Sequence, residues 1–305
     1  MKEITPKIRL RRDLGRVGWG LLLFFLAAQL LPSLVLSIPG LSHNQTIRYL
    51  LSYVCIYGIA PLFLLLLIHR LPKGVSPELP LSGRAFGRAM VFCFGMSYLA
   101  NYVTLALMFL MEALGLASSN PMEAQISSLP FWLNFLIAGV SAPLFEELIF
   151  RKLLLDRLRP MGDRAAIWIS GVAFGLFHMN LYQFFYATLL GLIFAGIALK
   201  TGKIHHTILL HAGINIFSLL MGQLSTYVEA HPEATALLSL VGMAVIASVC
   251  ISVVLLKRYY HTYRHSPPTL PFTTREVLLT LPKSVGMWLL VLVSLAGSIA
   301  TIFLL

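Results

Sequence analysis

Charge is what this sequence has least of. Only 11% of its residues are Asp, Glu, Lys or Arg, against about 25% in soluble domains, which excludes a water-soluble globular chain. Acids are the scarcer sign, 12 against 23 basic residues. Cysteine is almost absent as well. Cys55, Cys93 and Cys250 are scattered through apolar stretches, which excludes a disulfide framework and a cysteine zinc spacing; each reads as a small core residue. There is no internal repeat and no low-complexity tract, so the inverted repeats common in transporters are missing. No His-Glu-x-x-His sequence and no suitably flanked Ser or Cys nucleophile occurs either.

What is abundant is apolar length. The chain is 58% hydrophobic with mean hydropathy +0.82. Nine stretches approach or exceed the roughly 17–25 residues that cross a bilayer, near 17–38, 46–68, 87–115, 131–156, 165–179, 182–199, 204–222, 234–256 and 285–305. The fifth is marginal in length. The expected fold is an all-α polytopic transmembrane bundle of about eight or nine spans. The first stretch follows basic residues, as a signal peptide does, but is longer than a signal's apolar core and reads as a retained helix. Residues 1–129 form N-terminal helices, 130–222 the core that bears the chemistry, and 223–305 the C-terminal helices.

The net charge of +11 is distributed by topology. Of the 23 basic residues only Arg48 falls on the opposite side of the nine-span arrangement, while Glu112, Glu123, Glu229 and Glu233 lie there. This is the positive-inside pattern, and it predicts a cytoplasmic N-terminus and an external C-terminus. Nucleic acid is not an expected partner; membrane lipids are.

The informative residues interrupt this apolar background. Glu146 and Glu147 are adjacent carboxylates inside the fourth stretch, and Arg151 follows four residues on. Each such group near a bilayer centre costs on the order of 2.5–3.5 kcal/mol, so its default reading is functional. Glu147 and Arg151 have the spacing and order of a same-face ion pair. Glu146 lies about 100° round the helix. His178 ends the fifth stretch, one turn after Phe174, and His211 and Asn215 share a face of the seventh. Glu146 lies 14 residues before Pro160 and His178 lies 15 after Asp163, so an antiparallel hairpin brings them level, some 21–22 Å from its turn at about 1.5 Å per residue. The flanking segment Arg151 to Arg164 and the pair His205–His206 read as solvated interface. Gly171, Gly175, Gly191 and Gly196 read as small residues that let helices approach closely.

A carboxylate, two imidazoles and an amide suit hydrolysis by an activated water. Glu146 is the candidate base, with His178 sharing the water. His211 and Asn215 are candidate donors to one developing oxyanion, and Arg151 holds Glu147 and orients that helix face.

Three segments also resemble a known family. Glu146-Glu147-Leu148-Ile149-Phe150-Arg151 matches the EExxxR motif of the CPBP family, the CAAX proteases and bacteriocin-processing enzymes also called Abi proteins. Phe174-Gly175-Leu176-Phe177-His178 resembles its FxxxH motif, and His211-Ala212-Gly213-Ile214-Asn215 its HxxxN motif. The resemblance covers about 130–222. It implies an intramembrane endopeptidase similar to the type II CAAX prenyl endopeptidases, which remove the last three residues of a lipidated protein. It implies Glu146 and His178 as the water-activating pair, His211 and Asn215 as the oxyanion site, Glu147 as a further site residue, and Arg151 and Phe174 as supports. The substrate would be a peptide or lipidated-protein terminus, cleaved on the cytoplasmic side of a membrane, taken here as the plasma membrane. Members are also named metalloproteases; a zinc, if one takes part, would fall on Glu146, His178 and His211.

Two other readings of the same residues stand beside this one. The acids and histidines would also suit a proton relay in a transporter, which the missing inverted repeat disfavours. A non-catalytic scaffold or bacteriocin self-immunity protein of the same fold is the other, and the complete motif set disfavours it.

Overall fold

The computed structural model describes residues 6–40, 44–75, 78–116, 129–262 and 271–303. Lys2, Glu123, His265, Pro267 and Pro268 lie outside them. Among the described residues there is no strand. The helices are α1 Pro6–Leu36, α2 Gln45–Ile68, α3 Gly83–Ala113, α4 Phe131–Met161, α5 Asp163–Phe177, α6 Leu181–Thr201, α7 His205–Ala230, α8 Thr235–Thr262, α9 Thr274–Thr280 and α10 Val285–Phe303.

Seven helices are long and apolar enough to cross a membrane, or up to eight if the short α9 and α10, bent by 74°, form one span. Of the eight or nine spans expected, the structure supports up to eight, and the fifth stretch is the one that falls short. α5 has only 15 residues, about 22 Å at the helical rise, short of a roughly 30 Å hydrocarbon core. The exterior carries large apolar side chains; Leu237, Leu240, Met243, Ile246 and Val254 on α8 are all exposed. A water-soluble surface rarely shows such continuity. The chain is a multi-pass membrane protein.

α4 is the central helix. α7 and α2 pack along its first half, α5 along its second, and α1 lies against α2 and α10. α5 and α6 form the tightest pair, and glycine explains it. A Cβ at Gly191 would meet the Gly171 backbone at 2.8 Å, and one at Gly175 would collide with the Thr188 hydroxyl. Gly196 faces open space, so the close-contact reading holds for three of the four glycines. Phe24, Phe150, Phe174 and Phe177 stack beneath the site, with Phe150 and Phe174 at 5.2 Å and Phe24 and Phe177 at 5.0 Å between ring centres.

α2 and α4 share a device that shapes the site. Ala60-Pro61-Leu62-Phe63 recurs as Ala142-Pro143-Leu144-Phe145. Proline inside a helix offers no N–H, and its ring presses on the carbonyl four residues back. The ladder widens before each one. Val54–Ile59 and Phe135–Ser141 are π-helical, and the N–H groups of Ala60 and Ala142 reach the carbonyls of Cys55 and Ile137, five residues back. A third π-helical stretch, Leu148–Leu155, carries Arg151. Such widened turns are frequent at functional sites because they re-aim side chains.

The charged segment after Glu147 differs from its solvated reading. Arg157 and Arg159 are buried. Arg157 Nε donates to the Ile68 carbonyl at 2.9 Å, capping α2, and Arg159 pairs with Asp163 at 3.4 Å. Orphan carbonyls at a helix end need donors, and long basic side chains supply them. Arg164 stays exposed. The histidine pair also divides: His205 is exposed, whereas His206 is buried and its Nε2 accepts the Leu81 N–H at 3.1 Å. Cys55 and Cys93 are buried as expected, but Cys250 is exposed on α8 and packs in no core.

Candidate active site

Glu147 lies at the centre of a buried chain of partners. Its side chain is 0% exposed, as is that of Arg151. Arg151 Nε donates to Glu147 Oε2 at 3.1 Å, so the i,i+4 pairing expected from spacing is formed. Arg151 Nη1 donates to Ser170 Oγ at 2.8 Å, and that hydroxyl donates to the Phe150 carbonyl at 3.0 Å. The guanidinium also lies 5.1 Å from the Phe174 ring centre, a cation–π distance. The other oxygen of Glu147, Oε1, faces His211 Nδ1 at 3.3 Å. One carboxylate thus joins the arginine of its own helix to the histidine of α7.

His211 faces both acids. With Nδ1 toward Glu147, Nε2 lies 3.7 Å from Glu146 Oε2. A hydrogen bond at one ring nitrogen decides what the other presents. Phe174 and Phe194 flank the ring at 5.6 and 5.5 Å, so its orientation is held by packing as well.

Glu146 itself is 5% exposed. Its hydrogen-bond partner comes from outside the motif region: the Tyr57 hydroxyl of α2 donates to Oε1 at 2.5 Å. Sequence reasoning missed Tyr57. The signal was there, since Tyr49, Tyr53 and Tyr57 recur at four-residue spacing on an otherwise aliphatic helix. It missed Ser170 too, a small hydroxyl that reads as ordinary helix packing.

His178 caps the C-terminal end of α5 and is followed by Met179 at φ +44°, a left-handed conformation unusual for a residue with a side chain. Met179 is buried and abuts Gly297 of α10, which holds the turn and the histidine before it. His178 Nδ1 lies 2.9 Å from the Phe174 carbonyl. A carbonyl only accepts, so Nδ1 carries the proton and Nε2 is left with its lone pair. His178 lies in the neighbourhood of Glu146 and His211. No hydrogen bond joins it to Glu146 among the described residues.

Asn215 has a backbone partner that its spacing from His211 did not suggest. Its Nδ2 donates to the Ala138 carbonyl at 2.9 Å. The backbone explains this. The usual donor to Ala138 is the Ala142 N–H, which bonds Ile137 instead, and the next residue, Pro143, has none. A buried carbonyl without a partner is costly, and in a membrane no solvent relieves it. Asn215 supplies that partner and ties α7 to the widened turn of α4.

Among the described residues, no three His, Cys, Asp or Glu side chains come together as a metal-ligand group. The zinc expected on Glu146, His178 and His211 therefore remains a matter for experiment, and no step below runs through a metal.

The segment that carries the two acids and the two histidines matches a known family model. Residues 128–217 match the family model of the type II CAAX prenyl endopeptidases, described as Rce1-like. This segment is similar to the CAAX proteases. The match covers less than a third of the chain, lies within the segment that carries all three motifs, and agrees with the resemblance they showed. No curated protein and no solved structure matched the chain.

Proposed function

We propose that the chain is an intramembrane endopeptidase that hydrolyses a peptide bond near the terminus of a lipidated protein or peptide, using a water activated by Glu146 and His178. The observation that carries the reading is the buried Glu146 carboxylate, whose Oε2 lies 3.7 Å from His211 Nε2, within the segment that matches the CAAX endopeptidase family model. A water between Glu146 and His178 gives its proton to Glu146 while its oxygen attacks the substrate carbonyl. The oxyanion that develops meets the second amide hydrogen of Asn215 and the Nε2 of His211, which is a donor when both ring nitrogens carry a proton, its Nδ1–H then held by Glu147. Glu146 then passes the proton to the departing amine. Glu147 acts behind His211, holding its Nδ1, and Arg151 holds Glu147.

The test is terminal-peptide mass spectrometry of purified protein in lipid nanodiscs, given C-terminal peptides with and without a prenylated cysteine. Wild type is expected to release short C-terminal fragments and Glu146→Gln none. Cleavage that survives Glu146→Gln undiluted counts against the reading. Chelator treatment belongs to the same experiment: activity unchanged by chelator supports water activation by the carboxylate and imidazole alone, and inhibition reversed by zinc assigns His211 and His178 to a metal instead.

The positive-inside pattern supports a site opening toward the cytoplasm. Cysteines introduced at the exposed positions Arg164 and Glu229 test it in intact cells. An impermeant thiol reagent is expected to label the second from outside and the first only after lysis. The reverse pattern inverts the topology.

A further inference from the structure

We propose that Tyr57 is a positioning residue for Glu146: its hydroxyl occupies Oε1 and leaves Oε2 as the oxygen that takes the proton of the attacking water. The proposal rests on the endopeptidase reading above and names a residue outside all three motifs. A carboxylate turns easily about its terminal torsion, which is broad and roughly two-fold, so a base on a glutamate has two equivalent oxygens unless something distinguishes them. Here the distinction is built in. Oε1 accepts from Tyr57 at 2.5 Å, and Oε2 points toward His211 Nε2 at 3.7 Å. An oxygen that already accepts a phenolic hydrogen bond is the weaker base of the two, and the proton goes to the other.

The hydroxyl is held in place from two directions. The ring of Tyr57 lies 4.6 Å from Tyr53, 6.0 Å from Phe145 and 6.4 Å from Phe177, centre to centre. One turn earlier, Tyr53 donates to Ser141 Oγ at 2.7 Å. Two tyrosine bonds therefore join α2 to α4 on either side of Pro143, and both tyrosines flank or lie in the π-helical turn that precedes Pro61. The opposing reading is that Tyr57 fills space and its hydroxyl takes the nearest acceptor, as buried phenols do. The two readings differ in what loss of the oxygen alone does.

Tyr57→Phe keeps the ring and removes the hydroxyl. Expected is a fall in kcat of about 10- to 100-fold, the scale of a misaligned catalytic group, with KM within about twofold of wild type. Tyr53→Phe is the control, since it loosens the same helix contact without touching Glu146, and its kcat is expected to stay at the wild-type value. Infrared difference spectra supply a readout that needs no turnover. The carboxylate band identified by its loss in Glu146→Gln is expected to move in Tyr57→Phe and to stay in Tyr53→Phe. Equal losses of kcat in the two tyrosine variants, or an unmoved Glu146 band in Tyr57→Phe, overturn the proposal. If wild type cleaves no peptide, the endopeptidase reading fails and the kinetic role falls with it, while the infrared arm still reports whether the hydrogen bond exists.

Discussion

Glu146→Gln is expected to lower kcat by about 10²–10⁴, the usual contribution of a general base, and to leave the protein folded. The amide has nearly the carboxylate's volume, so the packing around Tyr57 and His211 is kept, and the Tyr57 hydroxyl still finds an oxygen to donate to. The KM is expected to change little, because the lost interaction belongs to the transition state rather than to substrate binding. Single-turnover cleavage in nanodiscs, with unfolding temperature measured on the same preparation, separates chemistry from folding. Activity within tenfold of wild type in a folded Glu146→Gln variant removes Glu146 as the base.

The largest stability effect is expected at the ion pair beneath it. Glu147→Gln leaves the Arg151 guanidinium charged, buried and without a carboxylate, and removal of one partner of a buried pair costs about 3–5 kcal/mol. Arg151 has little to fall back on. Its Nη2 has no hydrogen-bond partner among the described residues, so Ser170 and the Phe174 ring are what remain. Replacing both members, Glu147→Gln with Arg151→Met, removes the stranded charge and is expected to recover most of the lost stability. It is not expected to recover activity, because His211 still lacks the carboxylate that faces Nδ1. Thermal or denaturant unfolding in detergent, read beside peptide cleavage, distinguishes the two roles. A single variant as stable as wild type shows that the pair contributes nothing to the fold; full activity in the double variant shows that Glu147 does not position His211.

Much of the site was legible because its signals are local. Glu146, Glu147 and Arg151 lie within six residues, and a same-helix pair at i,i+4 needs no tertiary information to form. Hairpin depth brought His178 level with Glu146, and His211, assigned to the same site, does face both acids. Asn215 was placed on its helix face, and its amide also has a backbone partner that spacing did not give. The partner, Ala138 O, is visible only once the N–H missing at Pro143 is followed through the widened ladder. The basic run from Arg151 to Arg164 misled for a related reason. Composition marks it as solvated, yet Arg157 and Arg159 turn back to satisfy helix ends.

The sequence by itself determined the membrane class, the helical fold, the motif residues and the Glu147–Arg151 pair, since each follows from apolar length or from spacing along one helix. It left the span count open at α5, a stretch of 15 residues whose length is marginal in sequence and structure alike. Tertiary structure alone decided that Tyr57 reaches Glu146, that Ser170 holds Arg151 and that Asn215 closes the gap left by Pro143. The physical reason is the same in each case. A membrane helix is apolar on nearly every side, so periodicity does not say which face meets which neighbour; that is set by glycine contacts between α5 and α6 and by proline-widened turns in α2 and α4, whose effect is a rotation that no linear pattern records.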